Sequence, residues 1–124
     1  MPRYFTLEEA NAALNVIKPL IEEILTIRQH ILDQREEVWP VIQRAAGNGG
    51  SQSASKLAIE FERVDALVHQ IQATGVIVKD LNMGLLDFPH LKEGREVYLC
   101  WKHGEEGIAF WHEIEAGYAG RQPI

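Results

Sequence analysis

The side chains able to do acid–base or metal chemistry crowd into one end of this sequence. Residues 75–124 hold three of the five histidines, the single cysteine, two of the three tryptophans and seven of the ten glycines. His112 stands out, because an imidazole acts as general base, proton shuttle or metal ligand near neutral pH. A carboxylate on one ring nitrogen would orient the other, and Asp80 and Asp87 are the acids placed for that role. Asp87 and His112 are therefore the candidate ligands of a divalent metal. Lys79, Asp80, Arg95 and Arg121 are the candidates to line a small-ligand pocket.

Each candidate also has a plain structural reading. Asp87 alternates with Leu85, which places it on a partly buried face, where a lone carboxylate is costly. Lys79, Arg95 and Arg121 are the cations on offer, so a structural arginine–aspartate bridge is the simple alternative to a shared polar pocket. By period-two alternation His112 shares a face with Ile108 and Phe110 and points to the apolar interior. A neutral imidazole bonded to one carbonyl or carboxylate would satisfy that position. His112 and Glu113 face opposite ways on a strand, so His112 with Asp87 or Asp80 across strands is the better ligand geometry.

Other spacings say less. Cys100-x-x-His103 has metal-like spacing, but structural zinc takes four ligands and no second cysteine pair exists. Cys100 reads instead as a small buried hydrophobe, and His103-Gly104-Glu105-Glu106 as an exposed turn. Gly117-x-x-Gly120-Arg121 could offer N–H groups and a guanidinium to an anion, without the strand–loop–helix setting of a phosphate loop. The motifs of serine hydrolases, zinc proteases and nucleotide-binding loops are missing from the sequence.

The elements that must position these residues are legible from periodicity. Thr6-Leu7-Glu8-Glu9 is a capping box. Positions 7, 10, 14, 17, 21, 24, 28, 31, 35, 38, 42 and 45 step by three and four, and all are apolar except Arg28 and Arg35. This predicts one long kinked helix over 7–46. Pro19 predicts a kink near Asn15–Pro19, and Pro40 a bend or end near Val38–Pro40. Gly47-Asn48-Gly49-Gly50-Ser51 is a turn. A second helix over 53–74 follows, capped by Ser51, Ser53 or Ser55 and ended by Gly75. Residues 76–113 then carry short β-type runs separated by Asn82, Gly94 and Lys102-His103-Gly104-Glu105. Three or four strands in an antiparallel meander are expected, then a C-terminal loop over 114–124.

The expected fold is thus α+β in a single domain, 1–124: a long antiparallel helical hairpin followed by a short-stranded antiparallel β-meander. The second helix is about half the length of the first and cannot cover the apolar stripe from Leu7 to Ile24. Either the C-terminal segment or a second subunit must do so. That mismatch points to a homodimer through the helical hairpin.

The wording of the C-terminal part resembles a known family. Gly75-Val76-x-Val78-Lys79-Asp80, Gly84-Leu85-Leu86-Asp87-Phe88-Pro89, Gly94-Arg95-Glu96-Val97-Tyr98-Leu99-Cys100-Trp101, Gly104-Glu105, Trp111-His112 and Gly120-Arg121 carry the resemblance. With the opening Phe5-Thr6-Leu7-Glu8-Glu9-Ala10-Asn11, they resemble the bacterial domain of unknown function family 2203 over the whole chain. The resemblance implies a small bacterial cytoplasmic protein and brings no established activity to these residues.

Composition narrows the partners. The net charge is −6, and the first 74 residues carry 10 acids to 7 bases while the rest carry 8 to 5. Neither half has the basic footprint of a nucleic-acid binder or a polybasic membrane patch. No apolar run nears the ~20 residues of a membrane span. One thiol and no secretion signal suit a cytoplasmic location. The leading expectation is a non-catalytic interaction or structural homodimer. The alternative is a small-ligand or metal-binding protein, with enzymatic activity left open, whose site surrounds His112 and Asp87.

Overall fold

The computed structural model of the chain describes residues 3–47 and 58–124. Helix α1 spans Leu7–Gln34. Its N-terminus is the expected capping box: Thr6 Oγ1 accepts from the Glu9 N–H at 3.0 Å, and the Glu9 carboxylate accepts from the Thr6 N–H at 2.9 Å. The helix passes through Pro19 as one element and ends at Arg35, whose φ of −148° and ψ of 75° leave the helical region. A 3₁₀ turn, Glu36–Val38, leads into α2, Trp39–Ala45.

The single helix expected over 7–46 is therefore three elements. Pro40 lacks the N–H that would bond the Glu36 carbonyl, and its ring crowds that carbonyl. Restarting the helix puts Pro40 in the first turn of α2, where a missing N–H costs nothing. The apolar seam survives the break, for Ile31, Val38 and Ile42 are all buried.

Helix α3 spans Ala58–Ala73 and buries Val64, Leu67, Val68 and Ile71. The caps expected at Ser51, Ser53 or Ser55 lie outside the described residues. Gly75 terminates the helix as expected: its φ is +97° and its N–H donates to the Gln72 carbonyl at 3.0 Å.

Five antiparallel strands follow in the order β1-β2-β3-β4-β5: Ile77–Asp80, Leu85–Lys92, Arg95–Lys102, Phe110–Glu113 and Gln122–Pro123. The last comes from the segment expected to be loop, after a 3₁₀ turn at Tyr118–Gly120. Its Pro123 is tolerated because an edge strand has no outer neighbour to receive an N–H.

Leu86, Phe88, Leu99, Trp101 and Ile108 join Ala10, Leu14, Ile17, Ile21 and Ile24 of α1 in one core. The Ile108 N–H donates to Asn11 Oδ1 at 3.1 Å, and Lys18 Nζ to the Glu106 carbonyl at 2.6 Å. The stripe from Leu7 to Ile24 is thus covered by the chain's own sheet. Among the described residues no helix is long and apolar enough to cross a membrane.

Asn82, in the β1–β2 turn, fastens the break between α1 and α2. Its Oδ1 accepts from Trp39 Nε1 at 2.8 Å and from Arg28 Nε at 2.9 Å. Trp39 is buried, so losing this acceptor strands a buried donor. Asn82→Ala is expected to lower the unfolding free energy by about 1–3 kcal/mol in urea titration, and an unchanged midpoint would show the bond to be dispensable.

Candidate functional site

Register decides which side chains meet. The two-residue turn Glu93–Gly94, with φ of 53° and 79°, has the positive dihedrals of a type I′ hairpin. It pairs Lys92 with Arg95 and therefore Asp87 with Cys100. On the next strand Cys100 pairs with Phe110, and Tyr98 with His112. Directly paired residues share a face and successive residues alternate. Since Leu86, Phe88, Leu99 and Trp101 face the helices, Asp87, Tyr98, Cys100, Phe110 and His112 occupy the opposite face.

His112 is buried, as expected, but not against the helical core. The alternation does not reach back to Ile108, because the chain is not a strand there. Ile108 turns to the helices while Phe110 and His112 turn away from them.

Asp87, Cys100 and His112 form a closed cluster, each with at most 1% of its surface exposed. His112 Nε2 lies 3.0 Å from Asp87 Oδ1, and Nδ1 lies 2.7 Å from the Glu113 carbonyl. A carbonyl only accepts, so Nδ1 carries a proton. A further proton must then lie between Nε2 and Oδ1, since two lone pairs would otherwise face each other. The second carboxylate oxygen, Asp87 Oδ2, is buried with no hydrogen-bond partner among the described residues. Cys100 Sγ completes the group: one ligand atom from each of the three residues lies within 4.8 Å of the others. Burial, then the Asp87 carboxylate, push the Cys100 thiol up to about 12, against the pull of Arg121.

The roof over this cluster is aromatic and cationic. Tyr98 meets the His112 ring edge-on at 5.6 Å. Arg121 lies over Phe110 at 4.1 Å and against Tyr118 at 4.4 Å, with Nη1 4.0 Å from Cys100 Sγ. Its guanidinium grips Glu105 through Nη1–Oε1 at 3.1 Å and Nη2–Oε2 at 2.9 Å. Burial raises the Glu105 carboxyl, but the Arg121 bond and the Lys102 N–H outweigh it and hold the group below its ordinary range.

Of the residues singled out from sequence, the fold brings Asp87 and His112 together and sets Arg121 beside them. The others stand apart. Lys79 is exposed and lies over the Tyr98 ring at 5.9 Å. Asp80 Oδ1 caps the next turn, accepting from the N–H groups of Asn82 at 2.7 Å and Met83 at 3.2 Å. Arg95 pairs with Glu113 at 2.6 Å at the surface. The arginine bridge expected for Asp87 is not formed: Arg95 and Arg121 take other carboxylates, and a histidine is the partner. With Arg121 gripping Glu105, the Gly117–Arg121 segment does not present a free guanidinium to an anion.

Cys100 and His103 do not converge. His103 turns to Glu22 on α1, while Cys100 faces Asp87. Cys100 is the site residue that spacing along the chain missed. The signal for it is the Glu93–Gly94 turn, because a two-residue hairpin sets every cross-strand pair of β2 and β3.

Fold and site together define a small α+β protein with a buried aspartate–histidine–cysteine cluster on the sheet face turned away from its helices. The chain belongs to the family described as uncharacterized conserved protein (DUF2203), whose model matches residues 3–124. Neither the curated proteins nor the solved structures give a match.

Proposed function

We propose that this protein binds one divalent transition-metal ion of the zinc class through Asp87, Cys100 and His112. The observation that carries the reading is Asp87 Oδ2, a buried carboxylate oxygen without a partner beside a thiol and an imidazole. Carboxylate, thiolate and imidazole are the ligand types of zinc. One carboxylate, one thiolate and a neutral ring with a divalent cation sum to zero charge, which suits a closed site. All three ligands are buried in the closed fold, which would shield a bound ion from solvent. The stripe that would have served a helical-hairpin homodimer is occupied by the chain's own sheet, so packing favours the metal reading over assembly.

A cation that takes all three ligands displaces the thiol proton and the proton between Nε2 and Oδ1. Because burial keeps the Cys100 thiol protonated through this range, apparent affinity should climb with pH between 6 and 8 by at least about 10-fold per unit. Protein purified without chelator or affinity tag is expected to hold one zinc-class ion per chain by elemental analysis. Cobalt substitution should give a thiolate-to-metal charge-transfer band that Cys100→Ser abolishes. A metal-free protein that gives no such band with added cobalt refutes the proposal.

A further inference from the structure

The cluster is sealed by side chains of two kinds. Tyr98 belongs to the middle of β3 and is paired on both sides, to Pro89 and to His112. Moving it would break two ladders at once. Residues 114–121 are different. Their backbone bonds are local: the Ala116 N–H donates to Glu113, Gly120 to Gly117, and Arg121 to Tyr118. Beyond them, Gln122 and Pro123 pair with β4, and the Ile124 N–H donates to Ala109. The segment is thus a strap anchored at both ends, with side-chain contacts between.

Lys102 Nζ lies over the Tyr118 ring at 5.7 Å, but Arg121 is the strap side chain that holds a carboxylate and reaches the cluster. Its guanidinium fills the space between Phe110, Tyr118 and the Cys100 sulfur. The carboxylate it grips is itself fixed, since Glu105 Oε1 accepts from the Lys102 N–H at 2.8 Å and the Glu105 carbonyl from Trp101 Nε1 at 3.0 Å. Local segments with few buried contacts open at lower free energy than the whole fold.

We propose that residues 114–121 are a strap that opens as a unit to admit the metal to Asp87, Cys100 and His112, and that the Arg121–Glu105 pair is its latch. What enters rests on the metal reading above; the opening does not, and the two can be tested apart. The reporter is Cys100, the single thiol of the chain. In metal-free protein its labelling by an aromatic disulfide reagent is followed at increasing urea, still below the unfolding transition.

If the strap opens locally, the labelling rate at low urea is flat. Arg121→Ala should then raise that flat rate at least 10-fold, and Glu105→Gln should do the same more weakly. Global unfolding, in contrast, makes labelling rise steeply with urea. A wild-type rate with the full unfolding slope down to zero urea overturns the strap, as does an Arg121→Ala rate no faster than wild type. Should Arg121→Ala fail to fold, Glu105→Gln decides by the same criterion. Zinc added to the wild type is expected to suppress labelling. If it does not while Arg121→Ala still accelerates it, the latch stands and the metal reading falls.

Discussion

Replacing His112 by alanine in the metal-free protein is expected to cost about 3–5 kcal/mol of unfolding free energy. The reason lies in what remains. Asp87 is 1% exposed and its Oδ2 already has no partner. Removing the ring takes away the bond to Oδ1 as well, leaving a buried carboxylate with only the weak Cys100 thiol beside it unless it draws water into the sheet. A small domain has only about 5–15 kcal/mol in all, so the fall in the urea midpoint should be large. Removing both polar groups reverses the logic. Asp87→Val with His112→Leu leaves no charge to desolvate, only the Glu113 carbonyl without its side-chain donor, and apolar replacement of buried pairs is often neutral. The double variant should therefore be more stable than His112→Ala alone. If instead it loses as much as that single variant or more, the two groups are not coupled and the paired-burial account fails.

Gly84→Ala is expected to cost about 2–4 kcal/mol by the same measurement, adding left-handed strain to overpacking. Gly84 sits at the end of the β1–β2 turn with φ +61°. A Cβ there would lie 2.7 Å from His103 Cβ and 3.2 Å from Ile21 Cγ2. Ile21 is buried in the core. Gly94→Ala is the control, since its φ is +79° but an added Cβ meets nothing within 4 Å. It carries the dihedral penalty alone, about 1 kcal/mol. Equal losses at the two positions would mean that the close approach of the sheet to α1 at Gly84 contributes nothing.

Local patterning made much of this fold legible. The Thr6–Glu9 capping box, the seam from Ala10 to Ile42, the stop at Gly75 and the strand positions of Asp87, Cys100 and His112 follow from side-chain chemistry within a few residues. The break after Gln34 was half-legible. Pro40 announces it, but the helix stops six residues earlier, at Gln34, because the 3₁₀ turn must form before the proline can begin a new helix. The fifth strand was not legible, since Gln122–Pro123 becomes a strand only through an edge that β4 happens to leave open.

The candidate site divides along the same line. The sequence by itself determined which residue types were present, that Asp87 and His112 belonged on strands, and that any buried carboxylate would need a partner. The tertiary structure decided the partner. Cys100 lies thirteen positions from Asp87 and joins it only through the Glu93–Gly94 turn. His112 reaches Asp87 across a third strand, whose register is set by the irregular 103–109 connection. The same tertiary packing laid the sheet over the Leu7–Ile24 stripe and the Arg121 strap over the cluster. These are choices between distant segments, and their energies come from burial and shape complementarity, which no local spacing encodes.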